Sequence, residues 1–372
     1  MSSAASTPAG LRRRIDQVRE RARKGGLSAV MITPGPDLGY LTGLSTHSHE
    51  RLTALVIPSD AVLPVAFVSP ALEFADIGRD RFDALGIEVR IWRDEDDPFR
   101  LALRDLPPGP IAVSDLTPAL HTFALRDAGA GDLVLAGPAV ADLRMRKDSA
   151  ELAELGAAGA AIDRVHARVA DWLRPGRTER EVAADIAAAI VEEGHATAEF
   201  VIVGSGPNGA NPHHSASDRV LARGDLVVVD IGGPMPSGYC SDSTRTYALG
   251  TPAPAVGQAY AVLQQAQQAA VEAVRPGISA ESVDRVARDI ITAAGFGENF
   301  IHRTGHGIGL EVHEHPYIVE RNQTVLEPGM TFSIEPGIYV ADTWGARIED
   351  IVAVTASGVE ALNKRPHELL VL

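Results

Sequence analysis

Short apolar runs alternate with amphipathic stretches along the first 140 residues. AVMIT (29–33), TALVIP (53–58), PVAFVS (64–69), EVRIW (88–92) and PIAVSD (110–115) are rich in β-branched and aromatic residues and read as strands. Stretches near 11–24, 71–84 and 117–128 carry a helical period. Strands that alternate with helices in this way predict a small α/β domain. AGPAVADLRMRKD (136–148) has no strong period and leads into an alanine-rich helix beginning near Ser149. The expected domains are therefore 1–140 and 141–372.

The second region repeats itself. LRPGRTEREVAADIAAAIVEEG (173–194) and VRPGISAESVDRVARDIITAAG (274–295) align without a gap at an offset of 101, which is 274 minus 173. In each copy a helix ends at Arg-Pro-Gly, and Thr178 or Ser279 then caps a new helix running to Gly194 or Gly295. Thr178 and Glu181 have the spacing of a capping box. The echo continues in the strands at an offset of 105, which is 329 minus 224: GDLVVVDIG (224–232) matches GMTFSIEPG (329–337), and Asp230 falls on Glu335. Two related halves facing each other about a pseudo-two-fold axis would bring equivalent strands to one central site.

Carboxylates stand on these strands where apolar residues belong. Asp230 ends a four-residue apolar run, Glu335 follows Ile334, and Asp242 and Glu349 lie in the β-rich YCSDSTRTY and ARIEDIVAV. An unpaired ionised carboxylate costs several kcal/mol to bury. No lysine occurs in these segments, and Arg245 and Arg347 would neutralise two of the four acids. Two divalent ions would balance the set. The alternative, four acids at solvated strand ends, does not account for the histidines nearby. HRTGHGIGLEVHEH (302–315) holds four of the twelve histidines. His306, flanked by glycines that let the backbone approach a site closely, is the candidate nitrogen ligand. In an extended segment His313 and His315 share a face opposite Glu314, and His306 faces away from His313 unless the chain bends. His213 and His214, upstream of Asp230, occupy roughly the place in the first half that VHEHP occupies in the second.

Composition narrows the function classes. With 45% hydrophobic and 22% charged residues over 372 positions, the chain can bury a core in each of two domains. A net charge of −15 disfavours nucleic acid and anionic membranes as partners. A single cysteine, Cys240, forms no intrachain disulfide and suits a reducing compartment. The opening MSSAASTPAG offers no apolar signal core, and no run approaches the ~20 apolar residues of a membrane span, so the expected location is the cytoplasm. VGSGPNG lacks the nucleophile-elbow pattern of serine hydrolases, GHGIG is no dinucleotide fingerprint, and HEHPY makes no zincin helix.

DIGG with GYCSDSTRTY, HRTGHGIGLEVHEHP, FSIEPGIY and ARIED together resemble the creatinase/prolidase/methionine-aminopeptidase superfamily of M24 metallopeptidases. The likeness is closest to bacterial Xaa-Pro dipeptidases and aminopeptidase-P-like proteins, covering about 145–372 strongly and the amino-terminal domain in general character. It implies an α+β pita-bread catalytic domain with internal pseudo-two-fold duplication, preceded by a smaller α/β creatinase-like domain. It further implies that Asp242 and Glu349 bridge two metal ions, that Asp230 completes the coordination of one, and that His306 with Glu335 completes the other. His213 and His313 match substrate-side histidines that hold the scissile carbonyl and stabilise the tetrahedral intermediate, Arg347 matches an arginine that anchors the network and helps bind substrate, and His302 and Tyr317 are the further substrate-binding candidates.

The activity so implied is hydrolysis of the Xaa-Pro bond of dipeptides or short peptides by a hydroxide shared between the ions, with Glu335 passing a proton to the leaving nitrogen. The alternatives are an aminopeptidase P acting on Xaa-Pro-Yaa peptides and a same-fold hydrolase or lyase of a small non-peptide. An oxygen-rich site with one imidazole suits Mn²⁺, with Co²⁺ and Zn²⁺ as the other choices. A homodimer is the expected assembly. Two departures from the pattern matter. Asp230 and Asp242 are 12 apart, one more than usual, with the extra residue expected in the GPMPSG turn. Tyr317 stands where many prolidases carry an arginine for the substrate carboxylate, so a cation for that group is sought in Arg347 or the amino-terminal domain.

Overall fold

A computed structural model describes residues 7–372, so the reading of the first ten residues as lacking a signal core lies, for positions 1–6, outside the described residues. Backbone contacts divide the chain into two compact units, Met1–Arg144 and Met145–Leu372.

The first unit runs α1 (Pro8–Lys24), β1 (Ala29–Ile32), α2 (Pro36–Thr42), β2 (Ala54–Pro58), β3 (Ala66–Pro70), α3 (Ala71–Ile77), α4 (Asp80–Leu85), β4 (Glu88–Trp92), α5 (Pro98–Leu103), β5 (Ile111–Val113), α6 (Ala119–Asp127) and β6 (Leu133–Leu135), with α7 (Gly137–Met145) at the division. Its strands form one mixed sheet ordered β4-β3-β2-β1-β5-β6, the α/β arrangement the alternation predicts. The single helix expected over 71–84 is two helices, because Gly78 at φ 75° ends the first. Short α2, α5 and β6 carry too few residues to show a period.

The second unit runs α8 (Ser149–Trp172), α9 (Glu179–Glu192), β7 (Phe200–Ser205), β8 (Leu226–Pro234), β9 (Cys240–Ala248), α10 (Pro254–Ala273), α11 (Ala280–Ala293), β10 (Gly305–Gly307), β11 (Glu314–Ile318), β12 (Thr331–Ile334), β13 (Gly337–Val340), β14 (Trp344–Arg347), β15 (Asp350–Val354), β16 (Val359–Ala361) and β17 (Leu370–Val371). Asp148 caps α8 through Ala150 and Glu151, so the helix starts at Ser149 as expected. The strands form sheets ordered β17-β9-β8-β7 and β11-β10-β12-β15-β16, with β13 and β14 paired apart.

The duplication is written in the backbone hydrogen bonds. Gly176 N–H donates to Leu221 O and Leu221 N–H to Arg177 O, and the counterparts are Gly277 to Leu326 and Leu326 to Ile278. Thr178 bridges to Val220 as Ser279 bridges to Val325. Each half also has its own apolar core. One packs Ile162, Val182 and Ile186 against Val227 and Val229, and the other packs Leu263, Val283 and Ile291 against Phe332 and Val352. The paired helices of each half thus cover one face of its sheet.

Candidate metal centre and substrate cavity

The β8–β9 ladder is regular from Leu226 opposite Ala248 to Pro234 opposite Cys240, so the long spacing between its two acids is taken up in the turn 235–239. Asp230 lies opposite Thr244 and Gly232 opposite Asp242, which puts Asp230, Asp242 and Thr244 on one face. Arg245 is one residue out of phase and points to the other face. It is therefore not the counter-ion of these acids: it pairs with Asp350 at 2.7 Å and donates to the Glu349 and Thr244 carbonyls. Arg347 remains. Its Nη2 holds Asp230 Oδ2 at 2.5 Å, Nη1 the Tyr339 hydroxyl at 2.7 Å and Nε the Thr244 hydroxyl at 3.0 Å. Thr244 in turn donates to Glu349 Oε2 at 2.7 Å, linking acids from both halves.

His306 sits at the centre of β10 between Gly305 and Gly307. A side chain at 305 would strike the Ser333 carbonyl, and one at 307 the His315 backbone. The glycines therefore serve close packing of β10 between its neighbours rather than access to a ligand. His306 Nε2 lies 3.2 Å from Glu335 Oε1 and 3.5 Å from Asp242 Oδ2. Ligand atoms of Asp242, His306 and Glu349 all fall within 4.8 Å of one another.

These groups open on a cavity of about 700 Å³, lined by all five candidate ligands and by His213, His302, His313 and Arg347. Tyr317, expected to bind substrate, is not among the lining residues. Its ring instead carries the Arg303 guanidinium, 4.6 Å from the ring centroid. The chain bends at 309–313, and this brings the His306 and His313 rings to 4.1 Å despite the opposed faces of an extended strand. His302 Nε2 meets the Tyr339 hydroxyl at 2.9 Å. His214 turns away from the cavity and bonds Glu179 at 2.7 Å. Glu179, in the first turn of α9, also accepts from the amides and hydroxyls of Ser205 and Ser217 and from Asn208. That single buried acid fixes the loop carrying His213. Glu179, Thr244, Tyr339 and Arg303 escape sequence reasoning, since nothing in their local pattern distinguishes them from residues of an ordinary helix, strand or loop.

The electrostatics are lopsided. Burial pushes Asp242 well above the usual carboxylate range, reinforced by Glu349, Asp230 and Glu335. Burial likewise raises Glu349, with Glu335 and Asp230 adding to it, and lifts Glu335 to about 7. His306 is pushed down to about 3 by burial and then by His313, which keeps its imidazole neutral as a metal ligand requires. Asp230 Oδ1 and Glu349 Oε1 are buried with no hydrogen-bond partner among the described residues. Orphaned carboxylate oxygens facing a set of like charges are what a divalent cation satisfies, so the donor set of four carboxylates and one neutral imidazole fits such ions.

A duplicated frame that gathers carboxylates and an imidazole around one cavity has the architecture of a creatinase-type metallohydrolase. Residues 153–356 match the metallopeptidase family M24 and residues 14–145 the creatinase/prolidase amino-terminal domain. The chain belongs to metallopeptidase family M24. It is 55% identical to "Probable dipeptidase PepE" of Mycobacterium tuberculosis over 362 residues, covering 97% of this chain and 96% of that one. It is 37% identical to "Xaa-Pro dipeptidase" of Lactobacillus helveticus over 378 residues, covering 96% and 98%. The crystal structure of dipeptidase PepE from Mycobacterium ulcerans superposes with a TM-score of 0.94 at 54% identity, covering 98% of each chain. The fold expected from the sequence, a pita-bread domain that follows a creatinase-like domain along the chain, is thereby borne out, and the protein is a peptidase. No helix among the described residues is long and apolar enough to cross a membrane.

Proposed function

We propose that this protein is a dinuclear metal-dependent dipeptidase that hydrolyses the Xaa-Pro bond. The reading is carried by the convergence of Asp230, Asp242, His306, Glu335 and Glu349 on one cavity, where two carboxylate oxygens have no partner among the described residues. Asp242 and Glu349 would be shared between the ions, Asp230 would serve one and His306 with Glu335 the other. When bound, such ions supply Lewis acidity that activates water near neutral pH and polarises the scissile carbonyl. The chain's own residues do the rest. His213 and His313 face the cavity where a peptide carbonyl would lie and donate to the oxygen as it gains charge. Glu335, held by the Ser333 hydroxyl at 3.0 Å, is placed to carry a proton to the leaving nitrogen. Arg347 fixes Asp230 and, through Thr244, Glu349, while His302 braces Tyr339 behind it. Phe200, Ile202, Ile301 and Val312 give the cavity an apolar wall suited to a proline ring.

Mn²⁺ is the proposed metal, because the donors are oxygen-rich with one imidazole. The proposed division of labour is 1–140 for the amino-terminal domain and 141–372 for catalysis, supported by the contact boundary at Arg144/Met145. A homodimer in the cytoplasm completes the reading, with proline-containing di- or short peptides as substrates. The test loads chelator-treated protein with Mn²⁺, Co²⁺ or Zn²⁺ and follows cleavage of Ala-Pro and Ala-Pro-Ala, with metal content measured in parallel. Activity on Ala-Pro with about two ions per chain is the expected result. A preference for the tripeptide would move the activity to aminopeptidase P, and metal-independent cleavage would sink the reading.

A further inference from the structure

A dipeptide brings a free carboxylate with it. In Xaa-Pro that group sits two bonds from the scissile nitrogen, so it must enter the same cavity as the reacting carbonyl. The cavity already holds Asp230, Asp242, Glu335 and Glu349, and another negative charge there needs a cation of its own. Two arginines line it. Arg347 has its Nε, Nη1 and Nη2 committed to Thr244, Tyr339 and Asp230, so it has little left for a ligand. Arg303 is different. Among the described residues its guanidinium has neither a carboxylate partner nor a hydrogen bond, and its Cζ lies over the Tyr317 ring, 4.6 Å from the centroid.

A cation–π contact of this kind holds a guanidinium in place without using its N–H donors, which stay available to a planar, two-oxygen partner. The Tyr317 ring is itself fixed. It belongs to β11, which pairs with β10, and the His315 ring flanks it at 4.8 Å. The backbone at Arg303 is pinned as well, since its carbonyl accepts from His302 Nδ1 at 2.7 Å. Thr304, next in the chain, bonds buried Asp284 through both its amide and its hydroxyl. The Arg303 charge reaches the reacting groups: it acts against protonation of His306 and His313 and favours ionised Glu335. Tyr317, an unexplained residue in the sequence, thus gains a role as the brace of a cation.

We propose that Arg303, held on the face of Tyr317, binds the free carboxylate of the substrate's carboxy-terminal residue and so determines specificity for dipeptides. This rests on the peptidase reading above. The test measures kcat and KM for Ala-Pro and for its carboxamide, Ala-Pro-NH₂, with Mn²⁺-loaded wild type, R303Q and R303K. Metal content and thermal midpoint serve as controls. Wild type is expected to favour the acid over the amide. In R303Q the KM for the acid should rise roughly tenfold to a hundredfold, far more than kcat falls, and the preference for the acid should vanish. R303K, which keeps the charge but not the planar fork, should recover part of the preference.

Wild type that cleaves acid and amide alike, or an R303Q variant with the acid preference intact, would overturn this inference while leaving the peptidase reading standing. Wild type that cleaves no Xaa-Pro bond would overturn both.

Discussion

The two halves of the catalytic unit share a frame but not the means of fixing their functional loops. At an offset of 101, Thr178 and Ser279 cap equivalent helices, and the backbone bonds around Leu221 and Leu326 correspond one for one. The next position diverges. Glu179 in the first half is buried and gathers bonds from Ser205, Asn208, His214 and Ser217, so it ties down the loop that carries His213. Its counterpart is Ala280, which only packs. The second half instead uses Asp284, one turn further along α11, which holds Thr304, two residues ahead of His306, and a bidentate Arg288. Arg288 goes on to bind the carbonyls of Phe300 and His302. A repeat fixes the scaffold, and each half then acquires its own buried anion to position the chemistry.

The sharpest way to break the comparison is to remove one acid from each half at the centre. D242N and E349Q take a carboxylate from the first and the second half respectively. Each is expected to lower kcat/KM for Ala-Pro by on the order of a thousandfold and to reduce bound metal, because the two acids are not redundant. Metal content alongside steady-state kinetics checks this. If either variant kept near wild-type activity, the site would not be shared between the halves.

Substituting the divergent anchors should come next in effect. E179Q is expected to cost about tenfold in kcat/KM by loosening the His213 loop, and the loss should shrink sharply in an H213A background if both act through one group. D284N should act elsewhere, chiefly by weakening metal retention at His306. Acid adds a signature. Burial alone would raise Glu179, but the hydrogen bonds from Ser205, Ser217 and His214 prevail and hold it at about 2, below the ordinary 4.5. Its stabilisation is then present above about pH 4.5 and is lost as pH falls toward 2. Denaturation midpoints should show wild type losing its advantage over E179Q through that window. A gap that widened in acid would contradict the assignment.

How much of this was legible in the chain follows from what each feature depends on. The duplication was legible because Arg-Pro-Gly, the caps and the terminal glycines are local signals that recur at a fixed offset. Asp230, Asp242, Glu335 and Glu349 stood out because an acid in an apolar strand is locally anomalous. Arg245 does not serve the acids that its sequence neighbourhood suggests, because on β9 it is one residue out of phase with Asp242 and Thr244. Glu179 and Arg303 could not be seen, since their meaning lies in partners 26 to 38 residues away for the first and in a ring contact across a bend for the second.

The smallest test separates the common frame from its decoration. Thr178 Oγ1 accepts from the Glu181 amide while Glu181 returns a bond to the Thr178 amide. Ser279 also accepts from the amide three residues on, but Ser282 turns its hydroxyl to the Ser279 side chain at 2.8 Å and satisfies no backbone donor. T178A and S279A should therefore cost a similar amount, about 1 kcal/mol each, because both remove one side-chain acceptor from a helix start. The third positions should differ. E181A should lower the thermal midpoint measurably, and S282A should barely move it, because only the first leaves a helix amide without its side-chain acceptor. Glu181 is held below the usual carboxylate range by the Thr178 amide, so its contribution is present above about pH 4.5 and fades in acid. Equal losses from E181A and S282A at neutral pH would mean that the two caps differ in sequence only, and that the divergence of the halves begins at Glu179 rather than at the helix start.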